Sequence, residues 1–205
     1  MGLNQGDMDH RQSSKYSVWI LAGVIVVVAA LLAIAGDWGR ELLRYDRVAI
    51  SEGEVWRLLS GHFVHLGWSH FLLNGAGLLL IFYLVAGRFT AAQWLIVSLV
   101  VIAAMDIGFW NWQPQLIWYV GLSGLLHGLL AAGAVDGIRT GQLDYWLIAA
   151  FLLVKLTYEQ LVGPLPGSEG TTGGNVVVAA HLYGAIGGAL IGAYLSFRKA
   201  HAAAI

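Results

Sequence analysis

The chain has 205 residues, 58 % of them hydrophobic and only 11 % charged, with a formal net charge of −1 and no cysteine. That length suits one compact domain, but a soluble domain carries about 25 % charged residues, so the polar side chains are too few to cover a water-facing surface. The same apolar content excludes disorder, the charge balance excludes a basic nucleic-acid-binding surface, and the missing cysteines exclude disulfides, Cys–zinc sites and thiol proteases.

The charges fall in clusters, and mean hydropathy is +0.70. Uncharged runs separate Lys15 from Asp37, Arg57 from Arg88, Arg88 from Asp106, Asp106 from Asp136 and Glu169 from Arg198; one further apolar stretch, Tyr145–Leu161, carries Lys155 and Glu159. A helix that crosses a bilayer needs about 20 mostly apolar residues. The pattern predicts six helices, over residues 17–35, 63–86, 90–110, 117–135, 144–162 and 175–197. The expectation is an all-α membrane protein: a tail at 1–16, a six-helix membrane domain at 17–197 and a short tail at 198–205. The first run is expected to stay as a helix. Too many polar residues precede it, and it is too long, for a cleaved signal.

Orientation follows from Lys and Arg near the helix ends. One side would hold Arg11, Lys15, Arg88, Arg139, Arg198 and Lys199; the other would hold Arg40, Arg44, Arg47 and Arg57, all within Asp37–Gly61. The excess predicts both termini in the cytoplasm, with Asp37–Gly61 partly in the outer interface. Trp110, Trp112, Trp118 and Tyr119 would mark the outer interface, and Tyr145 with Trp146 the inner one.

Polar residues inside the apolar runs carry the chemistry, because ionisable groups at membrane depth are costly. The second predicted helix opens with His62, His65, His70 and Asn74. The fourth carries Gly121-Leu-Ser123-Gly124-Leu-Leu-His127-Gly128, and the sixth Ala180-His181-Leu-Tyr-Gly184, with Gly188 four residues on. In this topology all three run inward from the outer face. Ser123 and His181 would each lie about 9 Å below their helix starts at 1.5 Å per residue. A serine needs a base to take its proton, and His181 is the depth-matched candidate. Gly184 and Gly188 share a stripe with it and let a neighbour approach closely, as Gly121 and Gly124 would on the fourth helix. His70 and Asn74 share a face (i, i+4) and could donate hydrogen bonds to an oxyanion beside the Ser123 N–H. Leu122, Leu125 and Trp118 are expected to wall the cavity. Lys155 and Glu159 are expected to pair with each other or to snorkel, with a substrate contact as the further reading. The Gly/Pro-rich segment Gly163–Gly174 reads as a mobile connection over the cavity mouth. No His-Glu-x-x-His occurs, so no metal is expected at the helix 2 histidines. Asp106 and Asp136 read as helix-end residues.

As a set, these residues resemble the rhomboid family of intramembrane serine proteases, from Val55 to about Ser196. The marks are Trp56-Arg57, His65, His70-x-x-x-Asn74, Gly121-x-Ser123-Gly124 and Ala180-His181-x-x-Gly184-x-x-x-Gly188. The resemblance implies a six-helix bundle with a Ser–His dyad and neither metal nor cofactor. It implies Ser123 as nucleophile, His181 as base, and His70, Asn74 and the Ser123 N–H as the oxyanion hole. Where rhomboids usually carry an aromatic residue one turn below the serine, this chain has His127, in the manner of the rhombosortase branch. That implies a bacterial inner-membrane enzyme, active near the periplasmic face, cutting proteins tethered by a C-terminal Gly-Gly-tailed anchor. The alternatives are a general rhomboid protease acting on other single-span proteins and a non-catalytic client-binding member. His127 as a plain polar core residue also stays open.

Overall fold

The computed structural model describes residues 5–203, with side chains from Tyr16 to Ala202. It is all-α apart from one short strand pair. Six long helices are present: α1 (Gln5–Ile34), α5 (Trp68–Val85), α6 (Ala91–Trp112), α7 (Ser123–Ile138), α8 (Leu143–Leu161) and α10 (Val178–Ala203). Short helices α2 (Gly36–Leu43), α3 (Arg47–Ser51) and α4 (Arg57–Ser60) fill the segment after α1, and α9 (Ser168–Thr172) precedes α10. Strands β1 (Tyr45–Asp46) and β2 (Trp118–Tyr119) pair antiparallel, Tyr45 opposite Tyr119.

Among the described residues, four segments are long and apolar enough to cross a bilayer: Tyr16–Ile34, Trp68–Arg88, Ala91–Trp112 and Val178–Ala202. The other two long helices differ for physical reasons. α8 has the length but carries Asp144, Lys155 and Glu159. α7 has 16 residues, about 24 Å at 1.5 Å per residue. It is the central helix, packed on α5, α6, α8 and α10, so protein rather than lipid sets its length. The outward faces are greasy throughout, with Val27, Leu80, Leu99, Phe151 and Leu190 all exposed. An exposed apolar surface on this scale belongs in lipid, and the chain is an integral membrane protein.

α7 and α10 cross unusually closely. A Cβ placed on Gly184 would sit 2.1 Å from the Gly124 carbonyl oxygen, and one on Gly188 would sit 2.0 Å from that of Gly128. Gly128 in turn faces Val101 of α6, Gly133 faces Val85 and Gly137 faces the Tyr145 ring. At the far end of α7, the buried Asp136 takes Arg88 at 2.7 Å and Lys199 at 3.1 Å. Asp136 is thus near a helix end, as expected, whereas Asp106 lies inside α6 and meets His62 Nε2 at 3.1 Å.

Three predicted starts move by five residues or more. The first helix begins at Gln5, not 17, inside the expected tail. The second helix begins at Trp68, not 63, so His62 and His65 precede it; the fourth begins at Ser123, not 117. Residues 117–122 are not yet helix: Trp118 and Tyr119 pair with β1, and Gly121 N–H donates to the Gly61 carbonyl at 3.2 Å. Of the expected outer aromatics, Trp110, Trp112 and Trp118 are exposed but Tyr119 is buried. Its hydroxyl donates to the Gly121 carbonyl at 2.6 Å, and burial raises the phenol pKa well above the ordinary range.

The arginines of the 37–61 segment are structural. Arg57 is buried, donating to the Glu41 and Arg44 carbonyls and bridging to Glu54 at 2.6 Å. Arg47 donates to the carbonyls of Phe109, Gln113 and Leu116, at and just beyond the end of α6. Together they hold the 37–61 segment and tie it to the end of α6 and the stretch that leads into β2.

Candidate active site

Ser123 is the first residue of α7, and His181 lies in the first turn of α10. The two helices start together, so the residues share one level, though not through the six-residue depth expected of each. The close Gly124–Gly184 crossing brings Ser123 Oγ within 2.9 Å of His181 Nε2. Because Ser123 opens its helix, its N–H has no carbonyl one turn back to bond, and it sits at the positive end of the helix dipole.

His70 and Asn74 lie one turn apart on α5, both buried, and both line the same cavity as Ser123 and His181. His70 Nδ1 accepts from the Leu66 N–H at 3.4 Å, which leaves Nε2 as the protonated donor. Gly121 holds φ +131°, and a Cβ there would press on the His70 ring at 3.0 Å. Its role is therefore this close approach to His70, not the helix packing expected of it; Gly124, Gly184 and Gly188 do supply the packing. The Asn74 amide nitrogen is buried without a protein partner. Residues with three N–H donors, from α5 and the start of α7, thus line one cavity.

His127 Nδ1 donates to the Ser123 carbonyl at 2.7 Å, and its ring stacks on His181 with centroids 4.1 Å apart and planes at 14°. The stack fixes the plane of the His181 imidazole. Sequence reasoning missed one contact. Glu159, on α8, reaches His181 Nδ1 at 2.9 Å with Oε2 while Oε1 takes Lys155 at 2.5 Å. In the sequence Glu159 already had a partner one turn away, so nothing pointed to a second.

The cavity measures about 490 Å³ and lies between α5, α7, α8 and α10, with residues 165–177 across it. Its apolar walls include Leu126, Leu73, Leu80 and Phe151. Leu122 and Leu125 are in the core instead, and Trp118 is not among the lining residues, so the expected wall is corrected. Leu73, Leu80 and Phe151 also face outward, so the wall between α5 and α8 is one side chain thick. Segment 163–174 contains α9, bounded by Gly167 and Gly173 in the left-handed region.

His127, Glu159 and His181 each offer a donor atom within 4.8 Å of the others, the one such group among the described residues. Lys155 argues against a cation there: its ammonium holds Glu159, and a divalent ion would be repelled at that distance. His62 and His65 make no such group with His70. His65 instead meets His70 edge-on at 5.0 Å.

Residues 52–198 match a Rhomboid domain. The chain belongs to the rhomboid family. Most of α2–α10 lies in the matched span, including every residue of the cavity group above, and the rhomboid family is one of intramembrane serine proteases. No curated protein matches the chain significantly.

Proposed function

We propose that this rhomboid is an active serine endopeptidase of the rhombosortase kind, which cuts the C-terminal anchoring segment of Gly-Gly-tailed proteins. The observation that carries the catalytic reading is the 2.9 Å approach of Ser123 Oγ to His181 Nε2 in a cavity that His70 and Asn74 also line. Ser123 Oγ attacks the scissile carbonyl carbon as His181 Nε2 takes the hydroxyl proton. The carbonyl electron pair becomes an oxyanion, received by the N–H groups of Ser123, His70 and Asn74. Collapse expels the amine, which leaves with the Nε2 proton, and water attacks the acyl-enzyme by the same route in reverse. A non-catalytic role would not require serine and imidazole at hydrogen-bond distance.

All six long helices are read as crossing the bacterial inner membrane, with both termini cytoplasmic and the cavity open near the periplasmic face. The thin wall between α5 and α8 supports lateral entry of a membrane segment. An intact helix hides its carbonyls in hydrogen bonds, so it must unwind before attack. Glycine costs about 1 kcal/mol in a helix relative to Ala, and it brings no side chain into the cavity, which favours a Gly-Gly segment.

Labelling with a serine-reactive fluorophosphonate tests the catalytic reading. The wild type should label and Ser123→Ala should not; equal labelling removes Ser123 as nucleophile. Co-expression with a reporter bearing a Gly-Gly tail, against the same tail with both glycines changed to leucine, tests the subtype. Equal processing leaves a general rhomboid protease.

A further inference from the structure

We infer that Glu159 is a positioning residue for His181, so that the site works as a serine–histidine–glutamate relay set by the charge of Lys155. The inference rests on the catalytic reading above and goes beyond a Ser–His pair.

Glu159 and His181 are both buried. Each carboxylate oxygen of Glu159 has one partner, His181 Nδ1 at 2.9 Å and Lys155 Nζ at 2.5 Å. An ionised carboxylate can only accept. Nδ1 therefore carries the proton, and the Nε2 lone pair is turned to the Ser123 hydroxyl. A dyad alone leaves the imidazole free to hold its proton on either nitrogen; only one tautomer can act as base. The contact also fixes the ring about its Cβ bond, while the stacked His127 ring fixes its plane.

Lys155 completes the balance. A buried carboxylate needs a counter-charge. If His181 were the sole cation nearby, Glu159 would draw a proton onto the imidazole and disable the base. Lys155 supplies the positive charge from one turn away on the same helix, so His181 can rest neutral. When His181 takes the Ser123 proton, Glu159 stands against the new imidazolium. The groups that face His181 are Ser123 and His127 from α7, Glu159 with Lys155 from α8, and His70 from α5.

The test uses the full-length protein in detergent micelles or vesicles, with rate–pH profiles on a cleavable peptide. Glu159→Gln should lower kcat by roughly 10²- to 10⁴-fold, the upper figure being that for an orienting Asp→Asn change in a serine protease. KM should stay within about threefold, since both carboxylate oxygens of Glu159 are already taken by protein partners. Its acid limb should move to lower pH, because the anion that favours the protonated base is gone. Lys155→Met should move the acid limb the other way, to higher pH. Glu159→Asp should recover part of kcat. A merely structural role would not shift the two limbs in opposite directions. Unchanged kcat and limb in Glu159→Gln overturn the inference.

Selective ¹⁵N-histidine NMR of the unaltered protein, with His181→Gln for assignment, decides the matter even if Glu159→Gln does not fold. His181 protonated at Nδ1 supports the inference, and protonation at Nε2 overturns it. Retained cleavage in Ser123→Ala or His181→Ala would instead remove the catalytic reading, whichever way the Glu159 variants behave.

Discussion

Gly184 lies against the carbonyl of Gly124, with room for a hydrogen and no more: a Cβ there would be 2.1 Å from the oxygen. Backbone is the obstacle, and backbone in a packed helix cannot step aside. Gly184→Ala should therefore push α10 away from α7. Overpacking of this kind costs on the order of 1–3 kcal/mol, and Ser123 would lose its reach to His181. The expected result is a lower melting temperature together with slower fluorophosphonate labelling. A stable variant that labels at the normal rate would show that the crossing can relax.

His70→Ala and Asn74→Ala should each lower kcat more than they raise KM. The oxyanion they serve exists only past the ground state, and losing one such donor costs about 10²–10³ in another serine protease. Steady-state kinetics on both single variants would reveal this. If neither rate changes, the pair serves helix packing instead.

A cysteine placed at Gly167 should react with an impermeant maleimide applied outside intact cells. Gly167 stands at the start of α9, on the segment across the cavity, and the chain has no native cysteine to confuse the readout. Labelling seen only in inverted vesicles would turn the topology over and open the cavity inward.

Stability should fall as pH drops from about 6.5 toward 3. His65 is buried before α5, and burial, then the neighbouring His70, lowers its pKa to about 3 against 6.5 for the free side chain. Between those values the unfolded chain binds a proton that the folded one refuses, so acid favours unfolding. The slope approaches about 1.4 kcal/mol per pH unit for one proton. His65→Phe should flatten the melting-temperature profile between pH 6 and 4 relative to wild type. Identical profiles would mean that His65 takes no part.

Chelators should leave cleavage unchanged, since Lys155 disfavours a cation at Glu159. Activity lost in EDTA and restored by zinc would assign His127, Glu159 and His181 to a metal.

Much of the site could be read from residue types. Ser123, His181 and the stripe Gly184–Gly188 stand out because polar and tiny residues are conspicuous in apolar runs. The starts of α5 and α7 could not be read the same way. Residues 61–67 carry no charge and 117–122 are as apolar as the helix they precede, and hydropathy does not tell a helix from a non-helical strip that pairs with distant backbone. The pairing of Tyr45 with Tyr119, and the positive φ of Gly121, are tertiary events. Glu159 escaped for a related reason: its local partner Lys155 was sufficient, and α8 must be docked on α7 and α10 before His181 comes within reach.

The packing below the cavity bears on the membrane as an insulator. A bundle that admits water to a serine at one end would leak protons if the polar path ran through to the other. Beneath the site, Leu129 and Ala132 are fully enclosed, and Gly128, Gly133 and Gly137 are each pressed by a neighbouring side chain. The next charges met along α7 are those of Asp136 with Arg88 and Lys199, at the far end. Leu130 also lines the cavity, and about one and a half helical turns of packed residues separate it from that cluster. On the proposed reading of the cavity as a hydrolytic chamber, this packing lets the electrochemical gradient persist across the protein.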